Sequence, residues 1–151
     1  MGSFLEAIQT AVLGIVEKTL EGKDINDIKV FLQQEATAVS YPQLSSGVSV
    51  GVGMPLPTHL NTAFKPPRFT HIRIDLHLYD SRYDTQAGMG PMELAELLIA
   101  RIHDVPIVGT SLSCGPLLIE ALNPIQPNEA SGTVFGQVGW TLRAYCSASL
   151  K

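Results

Sequence analysis

The sequence predicts an α+β domain, a mostly antiparallel sheet of about four to five strands with two helices packed on one face. Residues 3–21 and 91–103 repeat apolar positions at helical spacing. Residues 70–79 and 133–146 alternate between apolar and polar positions, as half-buried strands do. Strand-like segments outnumber helical ones, and two helices against one sheet make a two-layer fold. A chain of 151 residues normally forms one domain with a proper core, and 1–151 is read as that single domain.

In chain order, Ser3 and Glu6 form a capping-box pair that starts the first helix. Phe4, Ile8, Ala11, Val12, Ile15 and Val16 supply its apolar stripe, and Gly22 a stop. Leu5, Leu13 and Leu20 widen the stripe, so this helix packs on a sheet or a neighbour. Within residues 25–39, Ile28, Val30 and Leu32 alternate as in a strand, although Ile28, Phe31 and Leu32 also suit a helix face. A strand is the preferred reading. Val48, Val50 and Val52 alternate with Ser49, Gly51 and Gly53, a second strand.

Residues 54–69 hold Pro55, Pro57, Pro66 and Pro67 and are expected to form a proline-rich loop or extended arm. Phe64, Lys65, Arg68 and Phe69 would anchor it. The strand over 70–79 puts Ile72, Ile74, Leu76 and Leu78 on one side and His71, Arg73, Asp75, His77 and Tyr79 on the other. A polar loop over 80–90 and an amphipathic helix over 91–103 follow, halted by Val105 and Pro106. Residues 117–122 read as a strand ending at Asn123 and Pro124, and 133–146 as a long one, with a polar turn over 127–132 between them. These neighbours are expected to pair antiparallel.

Charged residues make up 16% of the chain, against a usual share of about 25%. The deficit favours buried subunit contacts. A net charge of -4 gives no basic footprint for nucleic acid, yet a mildly acidic surface can surround DNA without gripping it. Cys114 and Cys146 have no metal or redox spacing and read as thiols of a reducing compartment. The apolar run over 7–16 follows Glu6 and no basic residue, unlike a signal peptide, and no stretch approaches a membrane span of about 18 apolar residues. The expectation is a soluble intracellular protein with no membrane partner.

The polar face of the 70–79 strand requires water, a ligand or another subunit. His71, Asp75 and His77 share it, but a metal needs three or four converging donors, and His59 and His103 have no spacing tie to them. No metal site is expected. The 109–115 segment, with Ser111, Ser113 and Cys114, lacks the second glycine of a nucleophile elbow and precedes a strand where a helix is required. No Walker or dinucleotide fingerprint is present. No catalytic residue and no cofactor are expected. The 80–90 loop carries Arg82, Tyr83 and Met89, residue types enriched at interface cores.

The capped N-terminal helix, the strand ending Asp75, Leu76, His77, Leu78 and Tyr79, and the Arg-containing, glycine-punctuated loop 81–88 form a loose pattern. The apolar helix over 94–103 leading to 105–108, and the closing strand 137–145, complete it. Over nearly its full length the chain resembles the tail terminator, or tail completion, proteins of long-tailed bacteriophages, most of all the Mu-like branch. The resemblance implies a hexameric ring that caps the tail tube, ends its polymerisation and joins tail to head, without cofactor or catalysis. It implies as partners other copies of the chain, the tail tube protein and possibly the sheath, and a head–tail connector. DNA passes through the lumen without specific binding. The implied location is the virion tail, and the host cytoplasm during assembly. Family members are shorter through the region matching 40–69.

On this reading Arg73, Asp75, His77, Arg82, Tyr83 and Arg143 are expected to form subunit or tube contacts. Three rival classes stay open: a head–tail connector or stopper protein, a small homo-oligomeric ligand-binding protein, and a hydrolase using Ser111, Ser113 or Cys114.

Overall fold

The computed structural model describes residues 3–21, 29–32, 48–80, 91–107, 113–124 and 138–149. Helix α1 spans Phe4–Leu20; Ser3 precedes it in extended conformation, its Oγ accepting from the Glu6 backbone N–H at 3.2 Å. Ile8, Gln9, Val12 and Val16 form its buried stripe. Strands β1 (Lys29–Leu32), β2 (Val48–Val52), β3 (Leu56–Asn61) and β4 (Arg68–Asp80) follow. Helix α2 (Pro91–Ile102) precedes β5 (Ser113–Cys114), β6 (Leu118–Pro124) and β7 (Val138–Ser149). Pro91 opens α2, where a missing N–H costs nothing. Asp104, at φ 65°, turns the chain out of it. The Asp104 N–H then donates to the Leu117 carbonyl at 2.7 Å, tying the helix end to the start of β6.

The described strands form one seven-stranded sheet with five ranks, β1, β2, β4, β7 and β5. Strand β3 shares one edge of β4 with β2, and β6 shares the far edge of β7 with β5. The β1–β2 pairing is parallel and every other one antiparallel. The predicted α+β class is observed. Both helices join one core with the apolar sheet face: Ile8, Val12 and Val16 from α1, Leu94, Leu98 and Ile102 from α2, Ile72, Ile74, Leu76 and Leu78 from β4, and Leu142, Ala144 and Cys146 from β7. Burying each large aliphatic side chain is worth about 1.5–3 kcal/mol. Phe4 stacks on Phe69 at 5.3 Å, which fixes the start of α1 over β4.

The 54–69 segment departs from expectation. Its first half is not a loop but β3, an edge strand pairing Leu56 with Arg73 and Asn61 with Arg68. An edge strand tolerates Pro57 because one of its sides has no ladder to break. Register shifts on both sides of His59 absorb the irregularity. Only residues 62–67 connect β3 to β4, through a cis Lys65–Pro66 bond. Strand β4 starts at Arg68, two residues before the predicted boundary, and the two-residue β5 was not expected. The Gly22 stop, residues 25–28 and 33–39 of the first predicted strand, the 127–132 turn and residues 133–137 lie outside the described residues.

Candidate functional site

The face of the sheet turned away from the helices is built by register. Leu56 pairs with Arg73, Arg73 with Tyr145, and Tyr145 with Leu118, giving one straight row across β3, β4, β7 and β6. The next row pairs Asp75 with Arg143. A third aligns Gly51, His77, Thr141 and Asn123, and a fourth aligns Ser49, Tyr79 and Gly139.

These rows differ in burial. Ser49, Asp75, His77 and Tyr79 are 2% or less exposed in the single chain. Ser49 Oγ makes no hydrogen bond among the described residues. The His77 and Tyr79 rings lie 6.3 Å apart. In contrast, the side chains of His71, Arg73 and Arg143 keep 28%, 21% and 34% of their surface. Leu56 is 41% exposed and Tyr145 half-buried. The polar face therefore has a closed half, around His77 and Tyr79, and an open half around Arg73 and Tyr145.

Asp75 stands at the boundary. Arg73 donates from Nη2 to Asp75 Oδ2 at 3.1 Å, and Arg143 from Nε to Asp75 Oδ1 at 3.3 Å. A carboxylate this deeply buried must be paired, and both its oxygens are. One acid holds two guanidiniums, so this three-residue cluster carries one formal positive charge in excess. Arg143 spends only Nε on this contact, which leaves its terminal nitrogens available as donors.

Above the Arg73 row, His71 stacks on Tyr145 with ring centroids 4.7 Å apart. The Thr58 hydroxyl donates to the His71 carbonyl at 3.1 Å, so it accepts from His71 Nδ1 at 2.7 Å. This pattern assigns the proton to Nδ1. His71 Nε2 then faces Glu120 Oε1 at 3.6 Å. The result is a surface of Leu, Tyr, His and Arg side chains in which hydrogen bonds fix the His and Arg members. Leu60 and Phe64 are exposed on the β3–β4 hairpin, with the Arg68 guanidinium 6.0 Å from the Phe64 ring.

Of the six predicted contact residues, Arg73, Asp75 and Arg143 come together. His77 lies one row away and is buried with Asp75, so any part these two take in a contact is through the residues they hold. Arg82 and Tyr83 lie outside the described residues. Leu56, Thr58, Leu118 and Glu120 were not singled out in the sequence. The 117–122 run is apolar apart from Glu120, so no alternation marked the face of the last two, and Leu56 and Thr58 were hidden by the prolines around them. The three strand residues weighed as metal donors do not converge: His71 is bonded to Thr58 and stacked on Tyr145, and Asp75 is held by two arginines. No group of three or more His, Cys, Asp or Glu among the described residues is placed to hold a metal ion. Ser111 lies outside the described residues, and Cys114 and Cys146 are free thiols. No described helix is long and apolar enough to cross a membrane. No protein-family model matches the chain, and no curated protein matches it in sequence.

Proposed function

We propose that this protein is a structural virion component. It forms a ring, hexameric by resemblance, that caps the tail tube of a long-tailed phage, ends tube polymerisation and joins tail to head. The resemblance of its element pattern to tail terminators supports the phage assignment. The observation that carries the assembly reading is the open row of Leu56, Arg73, Tyr145 and Leu118, braced from below by buried Asp75. Aromatic, arginine and aliphatic side chains held in fixed positions are what interface cores are made of. A ring contact is head-to-tail and closes by rotation, so this row meets a different surface on the next copy.

In this reading Arg73 and Arg143 face the neighbouring subunit or the tube, and the sequence pattern adds Arg82 and Tyr83 to the residues that make subunit or tube contacts. The chain's net charge of -4 keeps DNA moving through the lumen. The protein works in the host cytoplasm during assembly and then in the virion tail, without cofactor or catalytic group. Native mass spectrometry of the wild type beside Arg73→Ala and Arg82→Ala tests this. The expected result is a ring for the wild type and its loss in both variants, with far-UV circular dichroism unchanged. Unaltered assembly in both variants would overturn the interface assignment.

A further inference from the structure

On the helical side of the molecule, a groove of about 770 Å³ runs between the second half of α1 and the end of α2. Ala11, Gly14 and Ile15 form one wall, Val105 forms part of the other, and Lys18 and Arg101 stand at its rim. A Cβ added at Gly14 would meet nothing within 4 Å, so the space above that residue is open. None of the described residues lining the groove is acidic. Neither Lys18 nor Arg101 forms an ion pair among the described residues, and both are exposed. An apolar floor between two unneutralised cations suits an apolar segment bearing carboxylates.

The same chain presents such a segment. Glu93 and Glu96 lie three residues apart on one face of α2, both exposed, with exposed Met92 beside them. Neither carboxylate forms an ion pair among the described residues. From Glu93 to Arg101 is roughly 12 Å along the helix axis, at about 1.5 Å per residue. Neither Glu93 nor Glu96 lines the molecule's own groove. A contact between the acidic turn of one copy and the groove of the next is head-to-tail, the type that closes rings.

We infer that the α1–α2 groove is a subunit contact that receives Met92, Glu93 and Glu96 of a second copy. This rests on the ring reading above and names a surface on the opposite face from the Arg73 row. A helix seated beside Gly14 can approach closely because no side chain intervenes.

Charge exchange tests it. Sedimentation velocity across a concentration series should show that Lys18→Glu with Arg101→Glu weakens self-association roughly tenfold or more, and that Glu93→Lys with Glu96→Lys does the same. Mixing the two variants, or combining all four changes in one chain, should restore it, which a role in folding alone would not do. Gly14→Trp, a substitution into open space, should also block association while leaving the circular dichroism spectrum intact. Association by the wild type and all variants alike would overturn the groove contact and leave the ring reading standing. A wild type that stays monomeric throughout would overturn both.

Discussion

Asp75 and Arg143 face each other across the β4–β7 ladder, and the register that pairs them also sets Arg143 Nε 3.3 Å from Asp75 Oδ1. Arg73 closes on the other oxygen of the same carboxylate at 3.1 Å. One buried acid thus fixes two arginines on the half of the sheet that stays open.

Asp75→Ala should be the costliest change on this face. It leaves two guanidiniums without their shared partner, but both are partly exposed and regain water. A loss of about 3 kcal/mol, the lower end for breaking a buried pair, is expected in urea denaturation. Arg143→Ala should cost about 1 kcal/mol, because Arg73 still neutralises the carboxylate.

Gln9 secures α1 to the sheet. Its Nε2 donates to the Val52 carbonyl at 2.9 Å in a buried site. Gln9→Leu removes the donor and strands that carbonyl. The expected loss is about 1–3 kcal/mol in the same measurement, without change in the denaturant slope.

Cys146 is buried beneath the helices, and burial, with the Cys114 thiol nearby as a lesser cause, pushes its pKa from 9.0 up to about 12. At pH 8 a thiol reagent should label Cys114 in the folded protein, and both cysteines only after denaturation. The folded state holds the Cys146 proton where the unfolded state has lost it. Stability from this source is complete below about pH 9 and declines as pH rises toward about 12. The slope approaches about 1.4 kcal/mol per pH unit within that window. Cys146→Ala should remove this part of the alkaline decline, read as the difference between the two proteins' stability curves.

Tyr145→Ala and Leu56→Ser should weaken assembly more than they weaken the monomer. Leu56 is 41% exposed, so its loss uncovers little that is buried in the single chain. Thermal midpoints taken at low concentration should move by only a few degrees, while the assembled fraction falls sharply.

Much of this architecture was legible before any coordinates. Helix α1 declared itself through Ser3, Glu6 and its apolar spacing. Strands β4 and β7 did so through alternation, which also placed Arg73, Asp75, Arg143 and Tyr145 on one face. Strand β3 was concealed because Pro57 reads as a strand breaker, and only its edge position makes it tolerable. Strand β5 is two residues long, too short for any period. Gln9 lies at i, i+3 and i+7 with Val12 and Val16, so its burial was encoded but masked by its polarity. The division of the polar face into closed and open halves is a property of the tertiary structure, and no local pattern carries that information.

The central claim is that identical copies cover the open half of this sheet and close into a ring. Negative-stain electron microscopy of the purified protein, taken up in concentration, tests it most directly. Closed rings of one size with a clear central lumen, lost on Arg73→Ala, are the expected result. Particles that stay monomers or compact dimers at every concentration would contradict it.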